Sequence, residues 1–302
     1  MNFDNSQAIR ASELIINPDG SIYHLHLRPE HLADTIFTVG DPDRVDMVSK
    51  YFDEVEFKIR KREFATHTGR IGNKRVTVIS TGIGTDNIDI CFNELDALAN
   101  IDFETRTVKS ALKQLDIIRL GTSGCLLPNI PIDSMLASAY SVGMEGLMLY
   151  YDFENTADAN ALKVALTEFA ATHNLQFPIP FTTAQASQKL LDLYAPENAD
   201  IHRGITITAT GFYAPQNRQL RVKSNVAGSI IEKIGDFNFK GHQISNLEME
   251  TSGIYGLSTA LGHNALSLNA LVANRANGIF STDPYKIVDK LIRETLERFA
   301  NH

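Results

Sequence analysis

The segment NLEMETSG (residues 246–253) ends an apolar run and precedes a predicted helix. In an extended chain, residues two apart project to the same side, so Glu248 and Glu250 share one face and Met249 turns to the other. Ionised carboxylates only accept hydrogen bonds, and a vicinal diol offers two donors. The acidic pair beside an apolar methionine therefore suits a ribose. The alternative is a strand end with two solvated acids, followed by a hydroxyl residue that caps the helix.

Length and composition indicate a globular chain without a nucleic-acid or membrane partner. The 302 residues are 43% hydrophobic, and the formal net charge of −8 argues against nucleic-acid binding, which depends on clustered positive charge. No apolar run has the length of a membrane span, and the start lacks a secretory signal, so we expect a cytoplasmic protein. Cys91 and Cys125 are too few for a disulfide framework and lack the spacing of a structural zinc site. We also expect no metal and no cofactor.

Strand and helix patterns alternate along the chain after an irregular N-terminal arm over residues 1–20. Neither repeats nor a linker interrupt this alternation. The pattern predicts a single α/β domain over residues 1–302, with a mixed, largely parallel central sheet flanked by helices. Predicted strands cover residues 22–27, 35–39, 63–71, 75–80, 116–124, 135–142, 177–181, 205–210, 243–247 and 265–273. Predicted helices follow residue 44 and cover 86–99, 109–115, 160–173, 188–194, 226–234 and the segment from 283 onwards.

Two arginines follow or interrupt predicted strands in a way that favours anion binding. After the strand at 35–39, Gly40 and Arg44 begin a turn and a helix, where backbone N–H groups and a guanidinium can hold an anion. An ordinary Asp-Pro turn is the alternative. Arg119 lies inside a buried strand and needs either an anion or a carboxylate partner. The basic run at 58–62 is instead typical of a solvated edge strand.

Five motifs in one order resemble the nucleoside phosphorylase family, which includes pyrimidine-specific and purine-specific enzymes. The resemblance covers nearly the whole chain and implies the fold of that family. The motifs are GDPDRV at 40–45, REF at 62–64, STGIG at 80–84, RLGTSG at 119–124 and EME at 248–250.

The resemblance implies a phosphate site with a contribution from a second subunit. Phosphate would bind the backbone of Gly40 and the side chains of Arg44, Arg119 and Thr122. Arg62 would reach in from the neighbour. Phosphate is then a co-substrate rather than a cofactor.

It also implies a ribose site that is shared between subunits. Ribose would lie on Glu250 and Met249 with Glu248 in support, and His24 would cover the sugar from the neighbouring subunit. A monomer would have an incomplete site, so we expect a homodimer or a homohexamer built from dimers.

The segment FYAPQNR (residues 212–218) resembles the pyrimidine-binding segment of the family. Phe212 would stack on the base, Gln216 would pair with its carbonyl and imide groups, and Arg218 would neutralise charge on a carbonyl oxygen. Arg275 would also contact the base, and the preceding Asn274 stands where purine enzymes of the family have an aspartic acid. The resemblance thus implies phosphate-dependent cleavage of uridine to uracil and ribose 1-phosphate, with Arg44, Arg119 and Arg218 as the catalytic residues.

Alternatives stay open at this stage. The chain could be a purine phosphorylase, a nucleosidase that uses water, or a nucleoside-binding homologue without activity. Residues 100–114 form a longer segment than in compact bacterial members, and Asn87 replaces a serine found in members with an interface potassium. The sequence does not decide whether deoxyuridine or thymidine is used, whether the assembly is a dimer or a hexamer, or whether an interface cation is bound.

Overall fold

The structure, a computed structural model, describes residues 7–226 and 228–302. Strands and helices alternate along this part of the chain. The strands are β1 (Thr35–Val39), β2 (Glu54–Lys61), β3 (Phe64–Ile71), β4 (Lys74–Ser80), β5 (Ile101–Asp102), β6 (Thr107–Val108), β7 (Asp116–Cys125), β8 (Met135–Met144), β9 (Thr182–Gln185), β10 (His202–Ala209), β11 (Asn238–Phe239), β12 (His242–Glu248), β13 (Asn264–Asn274) and β14 (Ile279–Phe280). The helices are α1 (Pro42–Ser49), α2 (Thr85–Asn100), α3 (Ala157–Thr172), α4 (Gln188–Tyr194), α5 (Gly228–Lys233), α6 (Thr251–Leu261) and α7 (Pro284–Asn301).

The central sheet is mixed, with parallel pairs at its centre. Its strand order is β11-β12-β10-β8-β13-β7-β1-β4-β3-β2, with β9 on β8 and β14 on β13. The pairs β4–β1, β1–β7, β7–β13, β8–β10 and β10–β12 are parallel. Strand β12 also pairs antiparallel with the end of β7, so that β7, β13, β8, β10 and β12 close into a ring. The predicted fold class is confirmed.

Helix α7 shows how local signals and packing agree. Asp283 caps it by accepting a hydrogen bond from the backbone of Lys286, and Pro284 occupies the first turn, where its missing N–H costs nothing. One face of the helix packs on the sheet. The buried residues on that face include Ile287, Leu291, Ile292 and Phe299.

Strand β2 forms one edge of the sheet, as the basic run predicted. Its side chains alternate between exposed and half-buried positions, and its partner is β3 alone. Charged side chains on such an edge oppose pairing with another chain.

The predicted strand at 22–27 is wrong, so His24 and His26 do not share a strand face. Apart from a single bridge from Ile22, the segment is a turn, and His26 has a left-handed backbone with φ of 56°. The cause is local polar chemistry: the Asn17 amide donates to the carbonyl of Ile22, and the preceding turn is likewise tied by side chains. These bonds compete with strand pairing.

Two further predicted elements are wrong. Residues 109–115 are irregular with a bend rather than helical, because Lys109 and Lys113 donate backbone N–H groups to Asn100 at the end of α2. The strand predicted at 177–181 begins instead at Thr182. Two prolines in 177–181 lack the N–H groups that a ladder needs.

The longer segment after α2 binds the N-terminal arm. Strands β5 and β6 form a hairpin, and Arg106 at its turn donates to the backbone carbonyls of Ile9, Arg10 and Leu14. The hairpin therefore holds the N-terminal arm, whose residues 7–20 form turns. Residues 1–6 of the predicted arm lie outside the described residues. Among the helices of residues 7–226 and 228–302, none is long and apolar enough to cross a bilayer.

Gly69 allows β2 and β3 to pair closely at the sheet edge. A Cβ there would lie 2.0 Å from the carbonyl oxygen of Glu54. We expect Gly69→Ala to destabilise the protein by about 1–3 kcal/mol, since the strands must separate locally. Urea unfolding measures this, with Gly72→Asn as the control because Gly72 has open space and asparagine tolerates its positive φ. Equal stability of Gly69→Ala and wild type would contradict the expectation.

Candidate active site

A cavity of about 810 Å³ opens where the carboxyl ends of β1, β4, β7, β12 and β13 meet. Such ends are the usual ligand-binding edge of α/β sheets. The cavity brings together residues that are spread over more than 200 positions of the sequence. Ten of the thirteen predicted site residues line it: Gly40, Arg44, Arg119, Thr122, Phe212, Gln216, Arg218, Glu248, Met249 and Glu250.

A buried ion cluster lies at the centre of the site. One terminal nitrogen of Arg119 is 2.5 Å from Glu250 Oε2 and 3.3 Å from Glu248 Oε2. The other donates to Asn269 Oδ1 at 3.0 Å. All three charged side chains are buried. The partner that the sequence required for Arg119 is thus a pair of carboxylates.

Glu248 is held by donors on every side and is not a solvated acid. The hydroxyl of Thr208 donates to it at 2.7 Å, and the backbone N–H groups of Glu250 and Thr251 donate at 2.9 and 3.0 Å. The alternative of two solvated acids followed by a hydroxyl cap is therefore wrong: Glu250 occupies the N-cap position of α6, and Glu248 accepts from the first N–H groups. Glu250 itself accepts from the backbone N–H of Gly84 at 2.8 Å.

Burial sets the protonation behaviour of this cluster. It raises the pKa of Glu248, and Arg119 opposes the rise without cancelling it. For Arg119, burial acts to lower the pKa, but the charges of Glu248 and Glu250 outweigh it and the pKa is raised. Arg119 is therefore a permanent cation.

Arg44 provides a second cation at the same end of the cavity. Burial and, after it, repulsion by Arg119 lower the pKa of Arg44. Its only hydrogen-bond acceptor in the described chain is the carbonyl of Leu120 at a long 3.4 Å. Arg119 is neutralised by Glu248 and Glu250, but Arg44 has no ion pair in the described chain and keeps free donors, which favours an anion beside it. Gly40 and Thr122 line the same region.

The turn before α1 has the geometry that the sequence predicted. Asp41 caps α1 through the N–H of Asp43, with Pro42 in the first turn. The start of the helix thus lies beside the two guanidinium groups, and helix N-termini attract anions. The Asp-Pro turn and the anion site are therefore compatible rather than alternative.

The opposite end of the cavity combines an aromatic ring with an arginine. The guanidinium of Arg218 lies 4.2 Å from the centre of the half-exposed Phe212 ring. Gln216 is only 2% exposed and is the last residue of a short 3-10 turn, so its amide is shielded from solvent. Within the described chain, the Arg218 Nε atom is buried without an acceptor. Burial lowers the pKa of Arg218.

Arg275 lies behind this end rather than in the cavity wall. Its pKa is lowered by burial and then by Arg218, and its buried Nη1 has no acceptor in the described chain. Asn274 points away from the cavity: its amide donates to the carbonyls of Leu127 and Ile130 and accepts from the N–H of Asn277. In this chain Asn274 therefore links the loop at 127–130 to the turn after β13 by hydrogen bonds.

His24 and Arg62 lie outside the cavity wall of this chain. The Nδ1 atom of His24 is 2.6 Å from Glu94 on α2. Arg62 is exposed at the β2–β3 turn, with a φ of 55°. Both residues were expected to serve a neighbouring subunit, and that expectation stays a prediction.

Several wall residues were not predicted. Phe280 on β14 is 66% exposed and Ile83 is 67% exposed, and both line the cavity. Glu63 and Asn87 line it beside Ile83. A hairpin pattern after β13 could have indicated Phe280. Across the described part of the chain, no three His, Cys, Asp or Glu side chains gather as metal ligands.

Removing Arg119 tests the ion cluster. We expect Arg119→Met to cost about 3–5 kcal/mol of unfolding free energy near neutral pH, because two buried carboxylates lose their cation. The pKa of Glu248, already above its ordinary value of 4.5, rises further. An acid with a raised pKa in the folded state stabilises the fold only while it is protonated. That contribution is lost as the pH rises through the folded-state pKa. The deficit of the variant is therefore smaller near pH 5 than near pH 8.

Urea unfolding at both pH values measures this deficit. The control is Arg60→Met, since Arg60 is exposed and 3.6 Å from its exposed partner Asp43. A pH-independent deficit in Arg119→Met would contradict the assignment.

Known proteins share both the sequence pattern and the fold. Uridine phosphorylase of Thermococcus kodakarensis is 27% identical over 262 residues, which cover 87% of this chain and 80% of that protein. Uridine phosphorylase of Haemophilus influenzae is 26% identical over 260 residues, covering 84% and 86%. The crystal structure of Trypanosoma brucei nucleoside phosphorylase, described as showing uridine phosphorylase activity, has a TM-score of 0.83 and 29% identity. It covers 96% of this chain and 100% of its own.

A family-wide comparison agrees with these pairwise matches and with the resemblance found in the sequence. The sequence model of the phosphorylase superfamily matches residues 34–301, which include every strand and every α-helix that the structure describes. The chain therefore belongs to the phosphorylase superfamily.

Proposed function

We propose that the protein is a uridine phosphorylase, which cleaves uridine with inorganic phosphate to uracil and ribose 1-phosphate. The observation that carries this proposal is one cavity with three chemically distinct regions: paired guanidinium groups, buried carboxylates, and an aromatic ring beside an amide and an arginine. The relatives described as uridine phosphorylases support the choice of base.

The cationic end suits phosphate. Arg44 and Arg119 offer charge-assisted donors, and Gly40 and Thr122 lie beside them at the start of α1. Their charges would hold the nucleophile below the anomeric carbon, and most of the catalysis is then positioning and electrostatic stabilisation. No covalent enzyme intermediate is needed.

The acidic centre suits ribose. Glu250 accepts from Arg119 and Gly84, and its remaining lone pairs can accept hydroxyl protons of a diol. Met249 offers an apolar contact beside it. A negative carboxylate near the sugar also stabilises the positive charge that develops as the glycosidic bond breaks.

The aromatic end suits uracil. Phe212 offers a stacking face, and Gln216 can donate to a carbonyl and accept from the imide N–H. Arg218 can stabilise the uracil anion as it leaves. Arg275 adds positive potential from behind.

The assembly and the location belong to the same proposal. His24 and Arg62 lie outside this chain's cavity wall, which supports the expectation that they complete the site of a neighbouring subunit. We propose a homodimer or a homohexamer of dimers. We also propose that the protein is cytoplasmic.

The first test is uracil release from uridine with and without inorganic phosphate, with inosine in parallel. We expect uracil and ribose 1-phosphate only when phosphate is present, and intact inosine. Chromatography of the products measures both. Turnover without phosphate would indicate a nucleosidase, inosine cleavage a purine enzyme, and uridine binding without turnover an inactive homologue.

Arg218→Ala tests the base end. We expect kcat/KM for uridine to fall by about 100- to 1,000-fold, because a charged donor to the leaving base is lost. The matched control is Arg221→Ala, since Arg221 is exposed and does not line the cavity. Initial rates at saturating phosphate measure the effect. An equal effect of the two substitutions would contradict the role of Arg218.

A further inference from the structure

Glu145 is an acid with no evident role in the three regions of the cavity. It follows β8, is half-buried and does not line the cavity. Three neutral groups donate to its carboxylate: the N–H of Leu147 at 2.5 Å, the hydroxyl of Ser252 at 2.9 Å and the hydroxyl of Thr85 at 3.3 Å. The described chain gives it no ion pair. A half-buried acid held only by neutral donors needs an explanation.

Two of these donors begin different helices. Thr85 is the first residue of α2, and Ser252 is the second residue of α6. The helix starts touch, since a Cβ at Gly253 would lie 3.0 Å from the Thr85 methyl carbon. Both helix dipoles favour a negative charge at this position. The carboxylate of Glu145 therefore joins the N-termini of α2 and α6.

These helix starts also carry the groups that orient the ribose carboxylate. Gly84, directly before Thr85, donates its N–H to Glu250 Oε1 at 2.8 Å. Glu250 lies two residues before Ser252, at the N-cap of α6. The hydrogen bond between Gly84 and Glu250 thus spans the same helix–helix junction that Glu145 joins.

The backbone next to Glu145 is adapted to this approach. A Cβ at Gly143 would lie 2.6 Å from Glu145 Oε1 and 2.9 Å from Ser252 Oγ. The same Cβ would lie 2.5 Å from Thr182 Oγ1, so a larger residue at 143 would force at least one of these three side chains to shift. Glycine at this position of β8 is consistent with a requirement for the contact.

We propose that Glu145 is a positioning residue for Glu250: it holds the starts of α2 and α6 together and so keeps the Gly84 N–H on the carboxylate that receives the ribose diol. This inference rests on the proposed function. Glu145 acts on the substrate only through Glu250.

Glu145→Gln keeps the shape and replaces one acceptor by a donor that faces other donors. We expect kcat/KM for uridine to fall by about ten- to 100-fold, since small misplacement of a binding group has this effect. In a Glu250→Gln background the same change should cost less than about twofold, because coupled residues are not additive. The matched control is Glu168→Gln, on an exposed position of α3, which should equal wild type. An equal loss in both backgrounds would overturn the proposal, since it indicates a general structural role.

A second measurement is independent of turnover. Amide hydrogen exchange of Gly84 should become at least about tenfold faster in Glu145→Gln and remain unchanged in Glu168→Gln. Thr85→Val, which removes one donor while retaining shape, should change exchange in the same direction and keeps the test available where Glu145→Gln does not fold. Unchanged Gly84 exchange in a folded variant overturns the proposal. If wild type does not cleave uridine, the proposed function fails, and the exchange result alone decides whether Glu145 positions Glu250.

Discussion

The contact of Arg119 with Glu248 and Glu250 connects the sheet to the chemistry of the site. A guanidinium and two carboxylates out of water are costly unless each is paired and hydrogen-bonded. Strand β7 brings the arginine, the end of β12 brings the acids, and β13 adds Asn269 as a further acceptor. The antiparallel pairing of β12 with the end of β7 makes the meeting geometrically possible. Closure of the five-strand ring and pairing of the charges therefore support each other.

The two acids of this contact lie between two groups of cations. On one side are Arg119, which the acids neutralise, and Arg44, which has no ion pair in the described chain; on the other, Arg218 and Arg275 are half-buried with unused donors. The acids between them prevent the four cations from forming one continuous positive patch. A substrate pair with an anionic nucleophile, a sugar that becomes cationic and a base that leaves as an anion matches this alternation of charge.

Local sequence signals predicted much of this site, whereas the long-range contacts could not be predicted from the sequence. A charged residue inside an apolar strand required a partner, and Arg119 has one; the partner's identity could not follow, since Glu250 is 131 residues away. The turn at Gly40 was predicted because strand, proline and N-cap signals lie together. The supposed strand around His24 failed because side-chain bonds to the backbone override alternation. Phe280 was missed because its position depends on how β14 folds back on β13.

Asn274 has an architectural role in this chain. The resemblance found in the sequence leads us to expect an aspartic acid at the matching position of purine enzymes. In this chain the Asn274 amide donates to the carbonyls of Leu127 and Ile130 at 3.0 and 2.9 Å. A carboxylate would set negative charge against both carbonyl oxygens and leave them without donors, which costs more than the bonds contribute. Replacement of Asn274 by aspartic acid therefore requires the loop at 127–130 to rearrange.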